Sequence, residues 1–378
     1  MIKIDKHTKD ICVEMLRIVG MLIVVLVHVK PLDYIGGAPD AGRVFISAVL
    51  ADGVPIFWFI LGFFLFRKNS GWGYVLKRTG KRVFIPLILY SCFVWFLGDF
   101  LLGEAGLFDS ILHTGEEYGQ VLKFGILKWT NVLPMSGQIW YLYVYIAAMI
   151  FYPAIKGFWD VAVRNSQRKH FYLLGIILLM IINDLFTNRI FYFSHTGIHG
   201  VLGAGFFILA GAILYQYKDN IAGKFKWGVT GGILITVSCI IRALVQYFYY
   251  LQNPGMPYFL NWYTSFSMIT AIGFVLFVYG FFGKIEFSLK ARQAISHFGT
   301  LSFYVYLVHM ILLECLSAWD VTDWIRTFIG ETWWGDIVFT AGYGGFILIL
   351  SLLVSELLYW VLKIIKNFIP TKQTTEIK

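Results

Sequence analysis

The chain has 378 residues, of which 58% are hydrophobic, 19% aromatic and only 14% charged. Its mean hydropathy is +0.70, and because a soluble domain carries about 25% charge, a water-soluble globular fold is excluded and lipid is the expected solvent. A net charge of +9 would fit nucleic-acid binding if the cations formed a patch, but they fall in short clusters between apolar runs, as membrane topology signals do.

A membrane span needs roughly 20 mostly apolar residues. Ten such runs are predicted, at 11–29, 43–66, 83–102, 137–156, 171–187, 199–217, 227–249, 262–282, 299–318 and 336–362. The expected fold is therefore an all-α polytopic bundle over residues 1–366, with a short polar tail at 367–378. The start, MIKIDKHTKD, is polar and leads into the first run without a small-residue cleavage site, so no cleavable signal peptide is expected. With the N-terminus inside, 23 Lys and Arg fall in segments predicted cytoplasmic and six in segments predicted outside. That asymmetry predicts both termini on the cytoplasmic side.

The first run carries Glu14, Arg17 and His28. An ionisable side chain within a span costs at least about 2.5 kcal/mol, so each is a functional candidate. Glu14 and Arg17 are spaced to pair on one helix face. Eleven residues separate Arg17 from His28, which is three turns plus roughly 20° and a rise of about 16 Å, so both point the same way. The bland alternative is an interfacial ion pair plus an ordinary boundary histidine.

The loop after the second run, RKNSGWGYVLKRTGKRVFIP, holds six basic residues. Topology and anionic headgroups account for most of that charge. Arg78 and Arg82, one helical turn apart, are the best candidates for holding the phosphates of a cytoplasmic donor, because guanidinium makes bidentate contacts. The outer segment 103–136, with Glu104, Asp109, Glu116 and Glu117, contains an apolar stretch too short to span. The ninth run, SFYVYLVHMILLE, places His309 at mid-membrane with Tyr306 on the same face. Asp52, Arg242, Glu314 and Glu356 are further intramembrane charges whose partners the sequence does not name. Cys12, Cys92, Cys239 and Cys315 form no Cys-x-x-Cys pair, so they read as packing residues, and no metal site is expected.

Read together, these segments resemble the acyltransferase-3 family of bacterial membrane proteins. Its first-span pattern, an acidic residue, Arg and His, is matched by EMLRIVGMLIVVLVH, with Glu14, Arg17 and His28 in register. The second run, GVPIFWFILGFFLFRK, the basic stretch KRTGKRVFIP, the segment IWYLYVYIAAMIFYP with Trp140, and YLVH from Tyr306 to His309 follow in the family's order. Two positions depart from the pattern: Leu61-Gly62 stands for Ser-Gly, and Gln138 for a His. The resemblance implies an O-acyltransferase of the bacterial cytoplasmic membrane. The acyl group, acetyl by expectation, would come from cytoplasmic acyl-CoA, with acetyl-CoA as donor substrate and no permanently bound cofactor. It would pass to a hydroxyl on an extracytoplasmic acceptor such as a surface polysaccharide or cell-wall glycan. His28 would be catalytic with Glu14 and Arg17; Arg78, Arg82 and Arg17 would bind the donor; Tyr306, His309 and Trp140 would assist. A multi-span transporter is the competing class, but it commonly carries inverted repeats, and none is evident. Trp129, Trp262, Trp333 and Trp334 would stack on sugar or form an interfacial belt.

Overall fold

The computed structural model describes residues 9–29, 41–66, 70–90, 93, 139–164, 166–185, 197–252, 263–329 and 332–368. The outer segment 103–136, most of the third predicted run beyond residue 90, Cys92, Trp129, Trp262, Gln138 and the tail beyond Phe368 lie outside them.

Among the described residues all regular structure is helical. The principal helices are α1 (Ile11–His28), α2 (Ala41–Leu50), α3 (Gly53–Leu65), α4 (Trp72–Thr79), α5 (Trp140–Ile150), α6 (Tyr152–Phe158), α7 (Lys169–Leu185), α8 (Gly197–Gln216), α9 (Phe225–Gln252), α10 (Ser265–Phe282), α11 (Leu289–Ala318), α12 (Val321–Ile329) and α13 (Trp333–Phe368). Among the described residues, six stretches are long and apolar enough to cross a membrane: Ile11–His28, Ile46–Leu65, Phe225–Tyr249, Ser265–Phe282, Leu289–Ala318 and Trp334–Ile364. A seventh would be the pair Trp140–Ile150 and Tyr152–Val163, bent by 64°. The bend falls at Phe151, where Pro153 sits in the first turn of α6 and supplies no amide donor. The predicted runs at 171–187 and 199–217 correspond to α7 and α8.

Local chemistry sets several boundaries. Asp10 caps α1 by accepting from the Cys12 amide at 3.2 Å. Its other oxygen accepts from the hydroxyls of Tyr279 at 2.8 Å and Tyr215 at 3.2 Å, fastening the start of α1 to α8 and α10. Thr264 and Ser288 cap α10 and α11 in the same manner. The second predicted run is interrupted at Ala51–Asp52, which separates α2 from α3.

The helix α1 is central: it packs against α3, α11, α13, α10 and α2. Lipid gives no hydrophobic drive for helix association, so small residues that admit close backbone approach carry the packing. A Cβ on Gly62 of α3 would lie 2.1 Å from the Ile208 carbonyl of α8, and one on Gly280 of α10 would lie 2.2 Å from the Gly228 amide of α9. The outward faces of α9 and α13 remain apolar; Ile233 and Leu353 are 56% and 64% exposed. Such surfaces fit contact with acyl chains rather than water.

Candidate functional site

Three groups of polar residues are arranged along α1. The first lies one turn inside its N-terminal end. Glu14 is buried, and its Oε1 accepts from Arg17 Nη1 at 2.9 Å. Its Oε2 faces Gly299 of α11, where a Cβ would stand only 2.0 Å away, and has no hydrogen bond among the described residues. The Arg17 side chain is 30% exposed, with its guanidinium 5.8 Å above the Phe64 ring of α3. One face of a five-donor fork is held by Glu14, and the rest is presented to a partly open space.

The second group lies at the other end of α1. His28 Nδ1 is 2.6 Å from the Val24 carbonyl, and His309 Nδ1 is 3.0 Å from the Val305 carbonyl. Only a protonated Nδ1 can donate to a carbonyl, so both rings are assigned the tautomer with a lone pair on Nε2. His309 is fully buried, and its Nε2 approaches His28 Nδ1 at 3.4 Å, the rings meeting edge-on with centroids 5.0 Å apart. The two histidines are 281 positions apart in sequence. His28 also lines an open cleft, with a cavity volume of ≈ 120 Å³, between α11, α12 and α13.

The third group is an aromatic row. Tyr306 lies 6.2 Å from His309 and 5.9 Å from Tyr141, ring to ring. Tyr141 contacts Trp58 at 4.5 Å and Trp140 at 6.5 Å, and Trp140 meets Tyr263 at 6.4 Å. Tyr141 is within electrostatic reach of Arg17. One turn along α5, Tyr145 hydrogen-bonds Thr79 and is within reach of Arg78 and Arg82. Arg78 and Arg82 are themselves exposed. The row therefore runs from the basic surface, past Arg17, to the histidine pair.

Of the sequence-predicted residues, the fold brings Glu14 to Arg17, and His28 to His309 and Tyr306, with Trp140 in the aromatic row. Arg17 does not line the cleft at His28; the two are successive stations on one helix. Tyr141, Tyr145 and Gly299 were not singled out by sequence, since none is charged and tyrosine is abundant, with 22 in the chain. The remaining intramembrane charges acquire partners: Arg242 with Asp52 at 2.7 Å, and Glu356 with His297 at 2.7 Å. Among the described residues, no three His, Cys, Asp or Glu side chains are grouped to hold a metal ion.

A family model described as an acyltransferase domain, that of acyltransferase-3, matches residues 10–356. Comparison with curated proteins and with solved structures gave no match.

Proposed function

Since the chain belongs to the acyltransferase-3 family, we propose that this membrane acyltransferase moves an acyl group, acetyl by expectation, from cytoplasmic acyl-CoA to a hydroxyl on an extracytoplasmic acceptor, with a surface polysaccharide or cell-wall glycan as the acceptor class. The bacterial cytoplasmic membrane is its place in this reading. The observation that carries it is the division of labour along α1: a partly exposed cation at Arg17 and, eleven residues on, an imidazole that is held through Nδ1 and lines a cleft.

In this scheme Arg78 and Arg82 hold the donor's phosphates at the inner face, where guanidinium offers charge-assisted bidentate bonds. Arg17, oriented by Glu14, meets the donor as it enters the bundle. The row of Tyr145, Tyr141 and Tyr306 lines the way to the histidine pair. His28 Nε2 takes the proton of the acceptor hydroxyl as its oxygen attacks the thioester carbonyl; the carbon–sulfur bond then breaks, and the thiolate recovers that proton from the imidazolium. His309 keeps the His28 ring in place and lends its own Nε2 to the shared proton. Transport of an unmodified solute would use neither the phosphate-binding arginines nor a base beside a cleft.

The test is transfer of label from acetyl-CoA by the purified protein in proteoliposomes. His28→Ala should insert normally and lose at least about a hundredfold in rate, the usual weight of a general base. Product formation by that variant at the wild-type rate would defeat the scheme.

A further inference from the structure

Two tyrosines of α5 stand where the donor must pass. Tyr141 and Tyr145 are four residues apart, so their side chains share one face of the helix at a spacing of about 5–6 Å. Each stands beside different cations. Tyr145 hydrogen-bonds Thr79, the last residue of α4, and lies within electrostatic reach of Arg78 and Arg82. Arg82 sits on a single π-helical turn, Gly80–Phe84, that continues α4; such turns are rare and concentrate at functional sites. Tyr141 lies within reach of both Tyr145 and Arg17. On its other side its ring meets Tyr306 at 5.9 Å, and Tyr306 meets His309 at 6.2 Å. The order from the surface to the histidines is therefore arginine pair, Tyr145, Tyr141, Tyr306.

Both tyrosines are only half-buried, whereas Trp58, 4.5 Å from the Tyr141 ring, is fully buried. An interfacial belt would turn such rings toward headgroups. Here they turn toward guanidiniums and toward other rings of the bundle.

Acyl-CoA fits this order. Between its phosphates and its sulfur, the pantetheine arm carries two amides, whose nitrogens are four bonds apart, roughly 5 Å when extended. That length matches the one-turn spacing of the two side chains. An amide taken out of water is costly unless its N–H and C=O find partners, and a phenolic hydroxyl both donates and accepts.

We propose that Tyr145 and Tyr141 bind the pantetheine arm, Tyr145 bonding the amide nearer the phosphates and Tyr141 the amide nearer the sulfur. The thioester, two carbons further on, then stands beside Tyr306 and the histidine pair. The N–H groups of Arg17 not held by Glu14 serve the carbonyl of the amide at Tyr141. The inference rests on the acyl-transfer reading above and deepens it by assigning the stretch of donor between phosphates and acyl group.

The experiment uses the whole protein in proteoliposomes with acetyl-CoA and two analogues, each with one pantetheine amide replaced by –CH2–CH2–. Phosphates and thioester are unchanged in both. The variants are Tyr145→Phe and Tyr141→Phe, which keep the ring and its packing. Tyr145→Phe should raise KM for acetyl-CoA about fivefold, the usual weight of one neutral hydrogen bond. It should cost the same with the analogue lacking the amide nearer the sulfur, and almost nothing with the other. Tyr141→Phe should show the reverse pattern. Arg78→Gln should cost the same with all three donors. A tyrosine variant that costs equally with all three, or nothing with acetyl-CoA, would overturn the assignment of that tyrosine while leaving acyl transfer standing. Absence of any acetyl-CoA turnover in wild type would instead remove the acyl-transfer reading, and this inference with it.

Discussion

Removing Arg242 tests whether the bundle is held by a charge pair remote from the cleft. Its side chain is 2% exposed and that of Asp52 is fully enclosed, with Nη1 2.7 Å from Asp52 Oδ1. Its Nη2 donates to Ser267 Oγ at 3.2 Å. The contact joins the interruption between α2 and α3 to α9 and, through Ser267, to α10. Two unit charges at that separation attract by roughly 6 kcal/mol at an effective dielectric of about 20. Arg242→Met leaves the Asp52 carboxylate buried without its cation, and the expected loss is about 3–5 kcal/mol. That is a large part of the 5–15 kcal/mol that typically separates folded from unfolded protein. Asp52→Leu combined with Arg242→Met removes both charges and should recover most of the loss, since an apolar pair of similar volume is often neutral. The assay is the denaturation midpoint of purified protein in mixed detergent micelles, with acetyl transfer per folded molecule measured alongside. Transfer should hold steady while stability falls. An Arg242→Met protein within about 1 kcal/mol of wild type, or a double variant as unstable as the two single losses added, would refute the reasoning.

Two further outcomes concern the Glu14–Gly299 contact and the arginine pair Arg78 and Arg82. Gly299→Ala would place a Cβ 2.0 Å from Glu14 Oε2; it should cost about 1–3 kcal/mol as overpacking, and nearly nothing in a Glu14→Ala background, read from the same midpoints. Equal cost in both backgrounds would mean that the carboxylate does not sit there. Arg78→Gln with Arg82→Gln should raise KM for acetyl-CoA about tenfold or more, with kcat changed less, and should flatten the salt dependence of KM; a KM unmoved by both changes would take the two arginines out of donor binding.

Hydropathy made the spans legible because each buries or exposes apolar surface over its whole length. The runs at 11–29 and 227–249 appear as α1 and α9 almost residue for residue. The interruption at Asp52 was not legible. A window of about twenty residues averages over a two-residue break, and what makes the break tolerable is a cation 190 positions away. The bend at Phe151 escaped for a similar reason: Pro153 is visible, but a run with a proline near its end reads the same whether straight or folded by 64°. At the candidate site, Glu14 and Arg17 were legible as a pair because helix spacing is local information. His28 and His309 were each legible as side chains needing a partner in lipid; that each is the other's neighbour is a property of the packing of α1 on α11. The cleft was invisible, because three of its walls come from α11, α12 and α13, which meet only in the fold.

The buried charges divide by whether their chemistry is closed. Asp52 and Arg242 are both enclosed, and the cation has a second bond to Ser267; the cost of desolvating them is offset largely within the pair, although Asp52 Oδ2 has no hydrogen bond among the described residues. Glu14 and Arg17 are a similar carboxylate–guanidinium pair, at 2.9 Å, but only the anion is enclosed: the cation is 30% exposed, and Glu14 is its one hydrogen-bond partner among the described residues. An arginine kept in the membrane with most of its donors unspent among the described residues is expensive, and a fold that only needed stability would enclose it as it encloses Arg242. The same reasoning applies to the two histidines. His309, fully buried, uses both ring nitrogens, on the Val305 carbonyl and on His28. His28 uses the Nδ1 side of its ring on Val24 and His309, and its side chain lines the cleft. Along one helix, the hydrogen-bonding capacity left over among the described residues at Glu14 Oε2 and Arg17 near one end, and the cleft-lining imidazole of His28 at the other, fit the proposed scheme of a donor arriving from one end and an acceptor from the other.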